Sequence, residues 1–291
     1  MEPARVALIG AKGMLARAVR SVLPQTAVVQ GYDLPEFDLT DRRQVLDRLA
    51  AFAPTLIINC AAYTDVDGCE TAEELATCVN GKGPGFLAEA AMDTGAVLVH
   101  ISTDYVFDGR AECPCREEDP TAPLSAYGRS KLAGETAIRD SGLGDYLIVR
   151  TSWLYGPGGR NFVETMLRLM AEREELRVVA DQVGSPTLTF DLAEAILRLL
   201  AAGGRGIVHF SNSGQCSWHQ FAEAIRDEAL AAGMSLKVRR IDPIATVDYP
   251  LPARRPAWSV LDKSRYTQLT GVFPPDWRQS LKRYMKTRQE G

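Results

Sequence analysis

A phenol and an amine stand four positions apart in the stretch SAYGRSKLAGE, residues 125–135. The stretch has the pattern of a helix start, and residues four apart on a helix face the same way, so Tyr127 and Lys131 are expected to be neighbours. A free phenol has a pKa of about 10, and a nearby ammonium favours its ionised form. The spacing therefore predicts that Lys131 lowers the pKa of Tyr127, which then gives or takes a proton.

The same spacing occurs by chance in ordinary surface helices, so the position of the pair in the chain matters. It follows the fourth predicted strand, whose end reads HISTDYVFDG. Ligands of doubly wound sheets bind at the carboxyl ends of strands, and Thr103 lies just past this end, where its hydroxyl can hydrogen-bond a carbonyl oxygen. A phenol acid and a hydroxyl on one carbonyl, beside a nicotinamide, describe a hydride-transfer enzyme.

A glycine loop opens the chain in the stretch VALIGAKGMLARAV. Gly10 ends the first predicted strand, Gly13 precedes a helix, and Ala16 stands where a third glycine is usual. Such a strand, turn and helix let the backbone approach a pyrophosphate and direct free N–H groups at it. Two glycines in an ordinary turn are the alternative, but the context favours a dinucleotide site.

An acidic residue closes the second predicted strand. Asp33 lies where a carboxylate commonly meets the adenosine ribose 2′-hydroxyl, which favours NAD. Lys12 and Arg17 lie nearby, and either can accept a 2′-phosphate, so NAD and NADP both remain open. The alternative is that Asp33 only forms a turn after the strand and does not contact a cofactor.

Apolar, β-rich runs alternate with amphipathic helical runs through the first half of the chain. The predicted strands are Arg5–Gly10, Ala27–Asp33, Thr55–Ala61, Val97–Ser102, Tyr146–Thr151 and Gly206–Asn212. Nearly continuous apolar strands separated by helices predict a parallel sheet covered on both faces. The fold class is therefore α/β, a Rossmann-like doubly wound parallel sheet with a smaller α+β substrate-binding domain.

The domains are expected to interleave, because the pattern loosens after residue 152 and then returns. Phe162–Glu172 and Asp191–Leu200 read as helices, and the stretch after residue 212 is rich in Pro and Arg. Residues 1–152 plus 187–212 are assigned to the NAD(P)-binding domain. Residues 153–186 plus 213–291 are assigned to the substrate domain.

Composition limits the partners. The chain has 291 residues, 46% of them hydrophobic, and a net charge of −4, which gives no overall attraction to nucleic acid or to an anionic membrane. The N-terminal residues lack the pattern of a secretory signal, so a cytoplasmic protein is expected. The six cysteines are then expected to be free thiols, and Cys113 and Cys115 of the CPC stretch to be a loop feature.

Eight short motifs follow one another along almost the whole chain. They are GAKGMLARAV, INCAAYTDVDGCE, ISTDYVFDG, PLSAYGRSKLAGE, RTSWLYG, NFVETMLRL, ADQVGSPT and RRPAWSVLD. In this order they resemble the motif series of the dTDP-4-dehydrorhamnose reductases, members of the extended short-chain dehydrogenase/reductase superfamily. The third, fourth and fifth motifs are the most specific to that family.

The resemblance implies an activity and three catalytic residues. The family reduces the 4-keto group of dTDP-4-dehydrorhamnose to give dTDP-L-rhamnose, with NADPH as cofactor and NADH often accepted. It implies that Thr103, Tyr127 and Lys131 form the catalytic trio. Tyr127 then protonates the sugar oxygen, and Lys131 also holds the nicotinamide ribose.

Binding residues follow from the resemblance, together with the glycine loop and the second strand. The expected cofactor contacts are Gly10, Gly13, Met14, Leu15, Asp33, Asp38, Leu39, Ala61, Ala62, Tyr63, Thr64, Tyr127 and Lys131. The expected substrate contacts are Thr103, Asp104, Tyr105, Trp153, Asn161 and Arg255. Asn161 and Arg255 match diphosphate-binding positions of related enzymes, and an arginine fork suits phosphate. No metal is predicted, because the glutamates through which some members bind Mg²⁺ have no match.

Two positions depart from the family pattern. Ala16 replaces the third glycine, which is a small change, and Trp258 stands where the family usually has Asn, at the sugar-nucleotide end of the site.

Two other functions remain open alongside the reductase. One keeps the trio but changes the substrate, as another nucleotide-sugar 4-ketoreductase or epimerase. The other is an NADP-binding regulatory subunit of the methionine adenosyltransferase type, which has no need of the trio, so its presence favours an enzyme. The expected partners are a dTDP-sugar and a second copy of the chain in a homodimer, with no nucleic acid and no membrane.

Overall fold

The structure, a computed structural model, describes residues 3–290. Within these residues the chain forms twelve strands and eleven α-helices. The strands are β1 (Arg5–Ile9), β2 (Val28–Tyr32), β3 (Leu56–Asn59), β4 (Val97–Thr103), β5 (Tyr146–Thr151), β6 (Leu154–Tyr155), β7 (Glu175–Val179), β8 (Val183–Gly184), β9 (Thr187–Leu188), β10 (Gly206–His209), β11 (Cys216–Ser217) and β12 (Arg240–Ile244). The helices are α1 (Met14–Val22), α2 (Arg42–Phe52), α3 (Gly68–Thr71), α4 (Glu73–Ala76), α5 (Gly83–Thr94), α6 (Ala126–Asp140), α7 (Phe162–Glu172), α8 (Thr189–Ala201), α9 (Trp218–Ala231), α10 (Ser264–Thr270) and α11 (Trp277–Glu290).

Six parallel strands form the central sheet in the order β10-β5-β4-β3-β1-β2. All six predicted strands are confirmed, with ends that differ by a few residues because their last residues leave the hydrogen-bonded ladder for loops. The chain passes from β1 outward to β2 and then back across β1 to β3. The strand order therefore reverses between β1 and β3, which is where ligands of doubly wound sheets bind.

Strand residues alternate between two apolar cores, one on each face of the sheet. In β1, Ala7 and Ile9 pack with Leu49 of α2 and Leu87 of α5. Their neighbours in the strand point the other way, into a core formed with α1, α8 and α10. Period-two alternation with apolar residues on both faces explains why the strands read as continuous hydrophobic runs. The predicted doubly wound α/β fold is confirmed.

A second group of elements surrounds its own core. Strands β7 and β12 pair in parallel, and α7, α9 and α11 pack around them with Leu176, Phe221 and Leu281 in the interior. Helix α10 behaves differently, since its Tyr266 is buried in the core of the central sheet. We propose the interleaved domain division predicted above with this amendment, that residues 264–270 belong with the sheet. None of the helices in residues 3–290 is long and apolar enough to cross a bilayer.

Helix α6 is fixed to the sheet by a buried ion pair. Arg150 of β5 donates to Glu135 of α6 from Nε at 2.9 Å and from Nη2 at 2.7 Å, and both side chains are fully buried. The Ser102 hydroxyl of β4 donates to the same carboxylate. At Gly134 a side chain would collide with the carbonyl oxygen of Asn80, so only glycine lets the helix approach this closely.

We predict that Glu135→Gln lowers the free energy of unfolding by about 3 to 5 kcal/mol, because it leaves the buried Arg150 charge unpaired. Urea unfolding measures the change. The control is Glu172→Gln, which removes the exposed partner of Arg168 and should cost less than about 1 kcal/mol. Similar losses in the two variants would contradict the structural importance of the buried pair.

Candidate active site

The glycine loop lies at the reversal point of the sheet. Gly10 has a φ of +74°, and a Cβ there would stand 2.7 Å from the backbone nitrogen of Ala61 after β3. Gly13 is the N-cap of α1, where no side chain caps the helix and no acidic residue occupies the first turn. The first N–H groups of α1 are therefore left for an anion, as the sequence predicted.

A cavity of about 320 Å³ opens at this point. It brings together the predicted cofactor residues Gly10, Gly13, Asp33, Asp38, Leu39, Ala61 and Ala62, and it adds Lys12 and Cys60. Met14 and Leu15 form the start of α1 beside it, and Tyr63 and Thr64 continue the loop after β3.

The second-strand carboxylate is held by backbone donors. Asp33 accepts from the N–H of Lys12 at 2.7 Å and from the N–H of Leu34 at 2.9 Å. The exposed Lys12 ammonium lies 3.6 Å from Glu36 at the same end of the cavity. Arg17 lies elsewhere, against Gly158 of the loop before α7.

The predicted adenine contacts have clear structural roles. Asp38 accepts from the N–H of Thr40 at 2.9 Å and from its hydroxyl at 2.7 Å, which shapes the turn before α2. Leu39 is buried, and a Cβ at Gly83 would stand 2.6 Å from its Cγ.

Two buried asparagines that sequence reasoning missed hold the loop after β3. Asn59 accepts from the Ala61 N–H at 3.0 Å. Asn80 accepts from the Tyr63 N–H at 2.8 Å and donates to Ser130 of α6 at 3.0 Å. The available signal was Asn59 itself, a polar residue inside the apolar run TLIINCA.

Thr103 and Tyr127 meet at the carboxyl end of β4. Ser125 caps the helix start by accepting from the Gly128 N–H at 3.2 Å, which places Tyr127 in the first turn of α6. The Thr103 hydroxyl lies beside the Tyr127 phenol, and the ring of Tyr105 meets that of Tyr127 edge-on with centroids 5.6 Å apart. The predicted convergence of hydroxyl and phenol is present.

The predicted electrostatic effect of Lys131 on Tyr127 is wrong. Burial raises the pKa of Tyr127 well above its usual value, against the lowering effect of the Thr103 hydrogen bond. Lys131 turns its amine to the carbonyl of Ile101 at 2.6 Å and to His100 Nε2 at 3.3 Å. Burial is the largest effect on the pKa of the phenol, so Tyr127 is held protonated at neutral pH.

Asp104 stands next to the trio and is buried. Its Oδ1 accepts from the Thr103 hydroxyl at 3.0 Å, while its Oδ2 has no hydrogen-bond partner. Burial raises the pKa of Asp104 to about 6, although the nearby Ser259 and Thr103 hydroxyls oppose the shift.

Trp153 adopts a strained backbone after β5. Its φ is +48°, a region that costs a bulky residue roughly 1 to 3 kcal/mol. Its ring stacks on that of Trp218, with centroids 3.5 Å apart and an interplanar angle of 7°. A Cβ at Gly184 would stand 2.5 Å from the Trp153 ring. This packing holds the strained backbone of Trp153 in place, and the role of Trp153 as a sugar contact stays a prediction.

A second cavity of about 820 Å³ lies among the elements of the second core. Aromatic side chains line it together with Arg173, Arg177, Arg254 and Arg255. Within residues 3–290 no carboxylate lies within ion-pair distance of the first three of these arginines. The cavity is therefore cationic and partly aromatic.

The two predicted diphosphate residues are both engaged with protein groups. Arg255 forms a bidentate ion pair with Asp67, at 3.0 Å and 2.7 Å. The pair joins the loop after β3 to the Pro- and Arg-rich stretch that contains Arg255. Asn161 caps α7 by accepting from the Glu164 N–H at 3.0 Å, and its amide donates to two carbonyls of the preceding loop. Arg255 lies at the cavity, whereas Asn161 is occupied as a helix cap.

The remaining expectations concern a metal site, the cysteine thiols, and Ala16 and Trp258, the two residues that depart from the family pattern. Among the described residues no group of three or more His, Cys, Asp and Glu side chains is arranged to hold a metal ion. The six cysteines are free, and Cys113 and Cys115 lie in a loop. Ala16 is fully buried against the sheet, and Trp258 donates to the Cys113 carbonyl at 3.0 Å. Trp258 therefore has a structural role in that loop.

A six-stranded parallel sheet, a glycine loop at its reversal point and a tyrosine and lysine on the helix after β4 define an extended short-chain dehydrogenase/reductase. The family model described as the RmlD substrate binding domain matches residues 4–290. With these features the chain belongs to the dTDP-4-dehydrorhamnose reductase family.

Similar proteins share the whole chain. A dTDP-4-dehydrorhamnose reductase of Burkholderia thailandensis is 42% identical over 95% of this chain and 96% of its own. The spore coat polysaccharide biosynthesis protein SpsK of Bacillus subtilis is 42% identical over 98% of both chains. A crystal structure of dTDP-4-dehydrorhamnose reductase from Bacillus anthracis, in complex with NADP, is 39% identical and superposes with a TM-score of 0.91 over 98% of this chain and 99% of that one.

We predict that Asp104→Asn changes stability in a pH-dependent way. The carboxyl has a pKa of about 6 in the folded protein and about 3.9 when unfolded, so its ionisation destabilises the wild type as pH rises through this window. The free energy of unfolding of the variant, minus that of the wild type, should rise by about 2 kcal/mol between about pH 4 and about pH 8. Denaturant unfolding at both pH values measures this, and the comparison cancels pH-independent effects of the amide. A difference that stays constant with pH would show that Asp104 ionises normally.

Proposed function

We propose that the protein catalyses NAD(P)H-dependent reduction of the 4-keto group of dTDP-4-dehydrorhamnose to dTDP-L-rhamnose, in keeping with its family. One observation carries the proposal, namely a protonated phenol and a hydroxyl that converge at the end of β4. Lys131 lies beside Cys60 of the smaller cavity. Tyr105 adjoins Tyr127 on one side and Arg255 of the larger cavity on the other.

The smaller cavity fits a dinucleotide. The close approach of Gly10 to Ala61 leaves a cradle that a Cβ would fill, and the uncapped start of α1 offers N–H donors to the pyrophosphate. Asp33 and Lys12 are suited to the adenosine ribose end, and Lys131 to the nicotinamide ribose. When bound, the reduced nicotinamide supplies the hydride that adds to C4 of the sugar.

The proton that the carbonyl oxygen receives comes from a side chain of the protein. Because burial raises its pKa, Tyr127 keeps its proton at neutral pH and can give it to the carbonyl oxygen as negative charge develops there. The Thr103 hydroxyl is close enough to the phenol to hydrogen-bond the same oxygen. Both donors stand in a largely dry site, where such bonds stabilise the developing charge more strongly than in water.

The larger cavity supports recognition of a nucleoside diphosphate. Three arginines without carboxylate partners supply charge-assisted donors for two phosphates. Phe162 and Trp218, whose ring centroids lie 4.6 Å apart with an interplanar angle of 51°, offer an apolar wall to a base or to the sugar methyl group. A homodimer and a cytoplasmic location, both predicted from the sequence, stay part of this proposal.

We predict that Tyr127→Phe lowers kcat by roughly 10² to 10⁴ while the affinity for NADPH stays unchanged, because only the proton donor is lost. The assay supplies dTDP-4-dehydro-6-deoxy sugar with NADPH or NADH, follows the loss of reduced-nicotinamide absorbance and identifies the product. The control is Tyr105→Phe, which removes the neighbouring phenol and should cost no more than roughly tenfold. Equal losses in the two variants would refute the acid role of Tyr127. Conversion of the sugar without net consumption of cofactor would point to an epimerase instead.

We predict that Lys12→Ala reduces kcat/KM for NADPH roughly fivefold and leaves that for NADH unchanged, since an exposed ammonium contributes about 1 kcal/mol to a phosphate contact. Steady-state kinetics with both cofactors give the ratio. Arg17→Ala is the matched control, because that guanidinium packs against Gly158 and should leave the ratio as it is. If the ratio of kcat/KM for NADPH to that for NADH changes only in Arg17→Ala, Arg17 and not Lys12 binds the 2′-phosphate.

A further inference from the structure

A chain of hydrogen bonds runs from the backbone after β3 to the amine of Lys131. Asn59 and His100 are opposite each other in the register of β3 and β4, and both are fully buried. The Ala61 N–H donates to Asn59 Oδ1 at 3.0 Å, Asn59 Nδ2 lies 3.0 Å from His100 Nδ1, and His100 Nε2 lies 3.3 Å from Lys131 Nζ.

The first bond fixes the direction of the rest. A backbone N–H can only donate, so the oxygen of the Asn59 amide has to face Ala61, and the NH₂ group has to face His100. The imidazole nitrogen Nδ1 then accepts. Reversing the amide would set its NH₂ group against the Ala61 N–H, with two donors facing each other.

His100 therefore carries its proton on Nε2. Burial lowers the pKa of His100 well below its usual value, so the ring is neutral and has one proton. Since Nδ1 is the acceptor, that proton lies on Nε2 and points at Lys131.

An ammonium at Lys131 has no lone pair with which to accept this N–H, whereas an amine has one. The amine form donates to the Ile101 carbonyl at 2.6 Å and accepts from His100 Nε2. The groups that face Lys131 are Glu135 on α6, itself paired with Arg150, and the Cys60 thiol after β3. Burial lowers the pKa of Lys131 to about 8, and the effects of Glu135 and Cys60 oppose this.

We propose that His100, held by Asn59 with its proton on Nε2, is a positioning residue that donates to Lys131 and favours the amine form of that lysine. The proposal rests on the proposed function in that Lys131 belongs to the catalytic trio. It makes Lys131 a group that exchanges its proton close to neutral pH. A permanently charged anchor could not do this.

The tautomer of His100 tests the proposal directly. The chain has three histidines, so long-range ¹H–¹⁵N spectra of the full-length, cofactor-free protein contain few imidazole signals. His100 is expected to be the neutral Nε2–H form throughout the range from about pH 5 to about pH 8. His209 provides an internal contrast, because its Nδ1 faces the Cys115 carbonyl at 3.1 Å and its Nε2 faces Arg150, which requires the opposite tautomer. An Nδ1–H or a protonated ring at His100 overturns the proposal.

Asn59→Asp inverts the arrangement with little change of shape. A carboxylate facing Nδ1 can only accept, so His100 should move its proton to Nδ1 and present Nε2 as an acceptor to a Lys131 ammonium. Titration of ¹³C-labelled lysine should show the pKa of Lys131 rising by about one unit or more, and the pH profile of kcat should move to higher pH by the same amount. A tautomer that inverts while the Lys131 titration stays unchanged overturns the positioning role.

His219→Gln is the control. His219 bonds the Ile241 carbonyl at 3.0 Å and should leave both the His100 tautomer and the Lys131 titration as they are. If Asn59→Asp does not fold, the wild-type tautomer still decides. Both spectroscopic readouts are made without substrate or cofactor, so a failure of the proposed reductase activity and a failure of this proposal are distinguishable.

Discussion

The ion pair between Glu135 and Arg150 is the interaction on which the site depends. It lies under the sheet and fixes α6 against β4 and β5, and α6 carries both Tyr127 and Lys131. One helix placed by one buried pair therefore positions the phenol and the amine together. Removing either charge leaves the other buried and unpaired. The position of α6 on the sheet is therefore strongly specified.

The groups around the trio share one physical trend. Burial shifts the pKa values of Tyr127 and Asp104 upward and those of Lys131 and His100 downward, each toward the uncharged form. The site is built of donors and acceptors in a medium of low polarity. The larger cavity differs, since its arginines Arg173, Arg177 and Arg254 are exposed to solvent and keep their charge.

Much of this could be predicted from the sequence because the signals are local. Period-two apolar strands, the loop at Gly10 and Gly13, and the four-residue spacing of Tyr127 and Lys131 each reflect short-range geometry. The hydrogen bond from Lys131 to the Ile101 carbonyl could not be predicted, because a spacing gives the face of a helix but not the buried carbonyl to which an amine turns. The pairing of Arg255 with Asp67 joins residues 188 positions apart, and no local pattern indicates such a contact.

The pairing of Arg255 with Asp67 has a kinetic consequence. A guanidinium that already has an anionic partner offers an incoming phosphate only the difference between two similar ion pairs, since the carboxylate has to be displaced. The occupancy of Arg255 by a phosphate then depends on a small difference in free energy between the two ion pairs. The Asp67 carboxylate stays close enough to re-form its pair with Arg255. Under the proposed function, this exchange shortens the residence time of a diphosphate product and favours turnover over tight retention.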